Sequence, residues 1–145
     1  MSVHLLDVNV LLAIIWPTQE AHSKTVLWFL NNHKSGWATC PFTQTAVVRI
    51  LSNPAFSSQS LSPEEAQETL ATHMGHAGHR FWPADLEYAA AVSPFTESIV
   101  GHKQISDAYL LGLAIHRRGK FATLDHRIRA MLPEQSRLRD FVVEI

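Results

Sequence analysis

One stretch constrains this chain more than any other: Ile105 to Asp125, reading ISDAYLLGLAIHRRGKFATLD. Ser106 and Asp107 read as capping residues, and Ala108 to Ile115 is apolar on nearly every side, as in a helix surrounded by protein. Arg117, Arg118 and Gly119 supply a basic last turn and a glycine stop. Lys120 to Leu124 then reads as a short buried strand that delivers Asp125 at its carboxyl end. In open parallel α/β sheets ligands collect in the crevice beyond the carboxyl ends of strands, so the placement of this acid points to function.

The N-terminus repeats the pattern. Val3 to Leu6 is a short apolar strand broken by Asp7 and Asn9, and Val10 to Trp16 resumes as an apolar helix stopped by Pro17. Asp7 is therefore a second acid at a strand end, although a helix cap explains it equally well when it is taken alone. Glu20 to His33 reads as an amphipathic helix with Ala21, Val26, Leu27, Phe29 and Leu30 at helical spacing, and Trp37 to Cys40 as a second strand. Phe42 to Asn53 reads as a helix with Phe42, Ala46, Val47, Ile50 and Leu51 inward. Ser62-Pro63-Glu64-Glu65 opens another helix, expected to carry through Leu70. Arg80 to Pro83 is expected to form a strand and Asp85 to Phe95 a helix with Leu86, Ala89, Ala90 and Val92 inward. Phe141 to Ile145 reads as a last, β-branched strand.

Strands alternating with helices along 145 residues call for one α/β domain over residues 1–145. Its architecture would be three layers, α/β/α, around a mostly parallel sheet. A hydrophobic share of 46% suffices for that core. No apolar run is long enough to span a bilayer, no secretory leader is indicated, and the lone Cys40 reads as a small buried hydrophobe; a reducing, cytoplasmic setting is expected. The net charge of −1 hides an asymmetry: seven Lys or Arg against four Asp or Glu follow His116, and five against nine precede it. The basic end is either a nucleic-acid contact or a solvated helix face. His73, His76 and His79 recur every third residue, but Gly75 and Gly78 weaken a helix there, so a solvent-facing turn is favoured over a zinc site.

Right-handed crossovers would bring the strand ends at Asp7 and Asp125 to one rim, with Asp107 beside them. Converging carboxylates repel unless a cation sits among them, and all-oxygen donors suit Mg²⁺ or Mn²⁺. Such an ion could orient a phosphodiester and lower the pKa of a bound water, with Arg49 and Arg127 available to contact the substrate.

Taken in order, LLDVNVLLA, TQTAVVRILSNP, ISDAYLLGLA and FATLD resemble a PIN-domain ribonuclease of the VapC type from bacterial toxin–antitoxin systems, over essentially the whole chain. The resemblance implies a Mg²⁺- or Mn²⁺-dependent endoribonuclease that hydrolyses RNA with a metal-activated water. Asp7, Asp107 and Asp125 would form the acidic cluster, with Asn9 and Thr123 in support. It also implies a homodimer neutralised by a small antitoxin over the active-site groove. One departure stands out: many family members carry a glutamate early in the third helix, where this chain has Thr43, Gln44, Thr45 and Ala46. Gln44 and Thr45 are the candidate substitutes, acting through water, and one tight metal site is expected. Two alternatives follow. One is a PIN-like module that binds RNA or a partner without cutting. The other is a haloacid-dehalogenase-like phosphatase with Asp7 as nucleophile, against which Asn9 stands where a second acid is expected.

Overall fold

The computed structural model describes residues 2–59 and 61–145. Five strands, β1 (His4–Leu6), β2 (Trp37–Thr39), β3 (His79–Phe81), β4 (Lys120–Thr123) and β5 (Val142–Glu144), form one sheet in the order β3-β2-β1-β4-β5. Every pairing is parallel. From β1 the chain winds outward through β2 to β3, then returns to the other side of β1 for β4 and β5. The strand order thus reverses between β1 and β4, and the carboxyl ends of these two strands flank the switch point where such sheets bind ligands.

Strand alternation divides the core in two. Leu5 pairs with Phe121 and Phe121 with Val142; these side chains face α5 (Tyr88–Val92) and α6 (Ile105–His116). Leu6 pairs with Ala122, and both face the opposite layer. That layer is built from α1 (Val8–Ile15), α2 (His22–Asn32), α3 (Pro41–Leu51) and α4 (Pro63–Met74). A short α7 (Arg127–Met131) follows β4. Burial on both faces is why the inner strands β1, β2 and β4 read as largely apolar runs rather than as alternating patterns, while the edge strands β3 and β5 are partly exposed. On the first face α6 approaches α5 so closely at Gly112 that an added Cβ would run into the carbonyl of Ala91.

Several boundaries differ from the sequence reading, each for a local reason. The helix expected over Asp85 to Phe95 is confined to Tyr88–Val92, continued by a 3₁₀ segment at Ser93–Ser98. Asp85 is instead tied to Arg117 at 2.9 Å, and the Leu86 carbonyl accepts from Tyr109 Oη at 2.9 Å. Ala91 and Val92 take the inward positions, leaving Ala89 and Ala90 exposed. Helix α6 begins at Ile105, so Ser106 and Asp107 lie inside its first turn rather than at its cap. Gln104 precedes it, and its Oε1 accepts from Val100 N and Gly101 N.

Helix α3 starts at Pro41, one residue early, with the Thr43 hydroxyl accepting from Cys40 N at 3.0 Å. This phase buries Thr43 and Val47 and turns Phe42 outward, 56% exposed. In α2, which starts at His22 rather than Glu20, Thr25 and Phe29 face inward while Leu27 and Leu30 are exposed.

Only part of the histidine triplet is a solvent-facing turn: His76 is exposed in the turn at residues 75–78, whereas His73 lies in α4 and His79 in β3. Ser62 and Glu65 form a reciprocal capping box, and the helix they open runs past Leu70 to Met74, carrying His73 into the interior. The His73 ring packs between Phe29 and Trp37, with centroids at 5.3 and 4.9 Å. Gly75 ends the helix, and Gly78 turns the chain at φ +90° into β3, which takes in His79 and stops at Phe81. Burial is the main force lowering the His73 pKa to about 4, helped by His76 and His79. Cys40 is fully buried, as expected.

Candidate active site

Strand β1 ends at Leu6, and Asp7 performs two tasks at once. Its backbone N–H continues the ladder to the Ala122 carbonyl at 2.9 Å, and its Oδ1 accepts from Val8 N at 2.7 Å, capping α1. The cap and the strand-end acid are therefore one residue in one conformation. The other oxygen, Oδ2, accepts from the Thr123 hydroxyl at 2.7 Å. Thr123 is fully buried at the end of β4, and its Oγ1 also accepts from Asp125 N at 3.0 Å and from Asn9 Nδ2 at 3.4 Å. Asn9 Oδ1 in turn accepts from Leu124 N at 3.1 Å. The ends of β1 and β4 are thus sewn together by Asp7, Asn9 and Thr123, which set the path of the chain into Asp125.

The three acids experience different surroundings. Asp7 is 5% exposed, and its pKa is pushed up to about 6, chiefly by burial. The charges of Asp107 and Asp125 add to that rise; the hydrogen bonds from Thr123 and Val8 oppose it. Asp107, in the first turn of α6, is also held above the usual carboxylate range by burial and by Asp125. Asp125 goes the other way, because Arg127 hydrogen-bonds to it. Arg127 Nε lies 2.9 Å from Oδ1 and Nη2 2.8 Å from Oδ2. The three carboxylates feel one another, yet among the described residues no three Asp, Glu, His or Cys side chains are drawn close enough to grip one ion directly. Asp125 has both oxygens committed to Arg127.

The donor chemistry still fits a hard divalent cation. Asp7 and Asp107 are two oxygen donors whose negative charge is disfavoured as they stand, and a cation between them would relieve that cost. Direct ligation by these two, completed by water, matches the habit of Mg²⁺ of keeping several waters.

From Asp7 and Asp107 a groove of about 920 Å³ opens between α3, α6 and the segment preceding α5. Thr45 and Arg49 line it, together with Phe42, Ile50, Leu86, Tyr88 and Ile105. Gln44 does not. Its Nε2 donates to Thr39 Oγ1 at 2.9 Å and approaches Met74 Sδ at 3.4 Å, on a neighbouring groove between α3 and α4 that Thr45 and Arg49 share. Sequence reasoning missed the apolar lining: Phe42 was assigned to the core, and Leu86 and Tyr88 to one continuous helix. Exposed aromatic and aliphatic side chains leave no signature of their own in a single sequence.

Residues 4–131 match the family described as PIN domain. Ribonuclease VapC39 of Mycobacterium tuberculosis is 36% identical over 121 residues, covering 83% of this chain and 87% of the relative. Ribonuclease VapC44 of the same organism is 35% identical over 124 residues, covering 86% and 87%. The crystal structure of DNA-bound VapBC from Salmonella typhimurium superposes with a TM-score of 0.64 at 17% identity, over 92% of this chain and 94% of that one, a likeness of fold. These matches displace the phosphatase alternative. On its sequence and its fold together, the chain belongs to the PIN-domain family and, within it, to the VapC ribonuclease toxins of toxin–antitoxin systems.

Proposed function

We propose that this chain is a Mg²⁺- or Mn²⁺-dependent endoribonuclease acting as a toxin in the cytoplasm, as one domain over residues 1–145, with Asp7, Asp107 and Asp125 as its acidic centre. The observation that carries this reading is the buried Asp7 carboxylate at the β1/β4 switch point, its pKa pushed up to about 6 by burial and by the charges of Asp107 and Asp125 among other influences. A buried acid with a raised pKa costs stability when it is charged, and such perturbed groups cluster at functional sites.

Asp7 and Asp107 would hold the cation, with Asp125 as the third acid of the centre. When bound, the ion supplies a water of lowered pKa and neutralises charge building on the phosphate oxygens. Thr123 fixes the rotamer of Asp7 by donating to Oδ2 while Val8 N donates to Oδ1, and an ionised carboxylate so held keeps lone pairs for an ion. Asn9 holds the Leu124 amide and thereby the turn that sets Asp125. Arg49, exposed and lining both grooves, contacts phosphate along the RNA. Arg127, highly exposed at the rim, is the second basic contact. Thr45, which lines the groove from α3, is an uncharged residue in the region where many family members carry a glutamate, so one occupied metal position is expected.

The apolar part of the groove suits a protein better than an RNA backbone. Phe42, Tyr88 and Ile105 are 56%, 39% and 42% exposed beside the acids, a surface that a cognate antitoxin would cover while blocking the centre. Homodimerisation follows the family. No helix among the described residues is long and apolar enough to cross a membrane.

Pulsed expression without an antitoxin, followed by mapping of new RNA 5′ ends, tests the reading. Growth arrest with discrete new ends, both lost in Asp7→Asn at matched protein level, is the expected result. Arrest without new ends would favour the alternative in which the chain binds RNA or a partner without cutting.

A further inference from the structure

Asp125 is not a free ligand in this structure. Its Oδ1 accepts from Arg127 N at 3.0 Å and from Arg127 Nε at 2.9 Å, while its Oδ2 accepts from Nη2 at 2.8 Å and from Nε at 3.2 Å. The guanidinium thus meets the carboxylate edge-on as a two-pronged fork, the strongest geometry an ion pair of this type adopts. The two partners differ in freedom. The Asp125 side chain is 21% exposed and is anchored through its backbone to Thr123, whereas that of Arg127 is 82% exposed. Asp107 feels the same guanidinium, which lowers its pKa against the effects of burial and of Asp125. Arg127 therefore supplies the positive charge that a cation would otherwise bring to this end of the site. It is held from one side only, so it can swing away without disturbing the core.

We infer that Arg127 is a positioning residue that competes with the divalent cation for Asp125: the fork holds the carboxylate while the site is empty, and the ion must displace it. The inference rests on the metal-dependent reading given above. Its consequence is a set point. An exposed pair is weak enough for a cation to win, yet the need to break it raises the ion concentration at which the centre fills. A released Arg127 stays at the rim, where its five donors are free for a phosphate of the substrate.

The test is equilibrium binding of Mn²⁺ alone to the full chain without RNA, followed by the electron paramagnetic resonance of the free ion. Arg127→Ala is expected to bind Mn²⁺ about twofold to fivefold more tightly than wild type, the range an exposed pair supports. Arg127→Lys, which keeps the charge but loses the fork, is expected to fall between the two. In an Asp125→Asn background the gain from Arg127→Ala should shrink to the part that the charge of Arg127 exerts on Asp107. Equal or weaker binding by Arg127→Ala overturns the inference. So does a lysine variant identical to wild type, which would reduce the effect to bulk charge, or an undiminished gain in the Asp125→Asn background. Absence of Mn²⁺ binding in every variant overturns the metal-dependent reading itself, and this inference with it.

Discussion

The hydroxyl of Thr123 donates a 2.7 Å hydrogen bond to Oδ2 of Asp7, joining residues 116 positions apart. This contact links the two strand ends at the sheet's switch point and limits how far the pKa of Asp7 rises. Hydrogen bonds to charged groups contribute about 1.5–3 kcal/mol. Thr123→Val keeps the shape but loses the donor to Asp7 and the acceptor used by Asp125 N and Asn9 Nδ2, so it should lower activity, raise the Asp7 pKa above its present value and displace the pH profile of cleavage to the alkaline side. Thr123→Ser should restore the wild-type profile. A profile unmoved by the valine would mean that Asp7 does not depend on this bond.

Asp7 should make the metal-free protein less stable at neutral pH than it could be. Its folded pKa of about 6 lies above the ordinary value of 3.8. Between these values the native state binds more protons than the unfolded chain, so stability falls as pH rises through that window and is level above it. At roughly 1.4 kcal/mol per pKa unit the loss is on the order of 3 kcal/mol. Asp7→Asn, which retains a good helix cap, should therefore melt higher than wild type at pH 8 without metal while failing to cleave RNA. Mg²⁺ should raise the melting temperature of wild type and leave that of the asparagine variant unchanged.

His73 should act with the opposite sign. Its pKa, depressed from 6.5 to about 4, keeps the ring neutral in the folded state, and its Nε2 is buried with no partner. The unfolded chain binds more protons between those values, so stability is fully present above pH 6.5 and is lost as pH falls toward 4. The loss is again about 3 kcal/mol. Because this window overlaps that of Asp7, wild type should show a shallow dependence in which the two linkages offset each other. His73→Phe should leave stability rising toward acid, and Asp7→Asn should leave it falling. Denaturant melts from pH 4 to pH 7 check both slopes.

Much of this was legible in the sequence, for identifiable reasons. Asp7 and Asp125 stood out because each follows a short apolar run at a strand's carboxyl end, although Asp7 taken alone reads equally as the helix cap that it also is. Asp107 stood out as an acid opening an apolar helix, although it lies in the first turn rather than at the cap. His73 was misplaced because Gly75 and Gly78 suggested a turn across the whole segment. Gly75 in fact ends a helix already fixed by Ser62 and Glu65, and Gly78 provides the bend into β3. The lining of the groove was illegible because Leu86 owes its place to the bond its carbonyl accepts from Tyr109, a contact 23 residues away. The engagement of Asp125 by Arg127 and the turn of Gln44 toward Thr39 were likewise matters of side-chain geometry that no spacing encodes.

Cleavage of RNA by the purified chain with Mg²⁺ and with chelator, compared across wild type, Asp7→Asn, Asp107→Asn and Asp125→Asn, bears most directly on the acidic centre. Wild type should cut with Mg²⁺ and not with chelator. Each variant should lose at least about 100-fold, the upper end for groups that only orient a metal ligand. Equal cutting in chelator, or full activity in all three variants, would contradict a divalent ion held by these carboxylates.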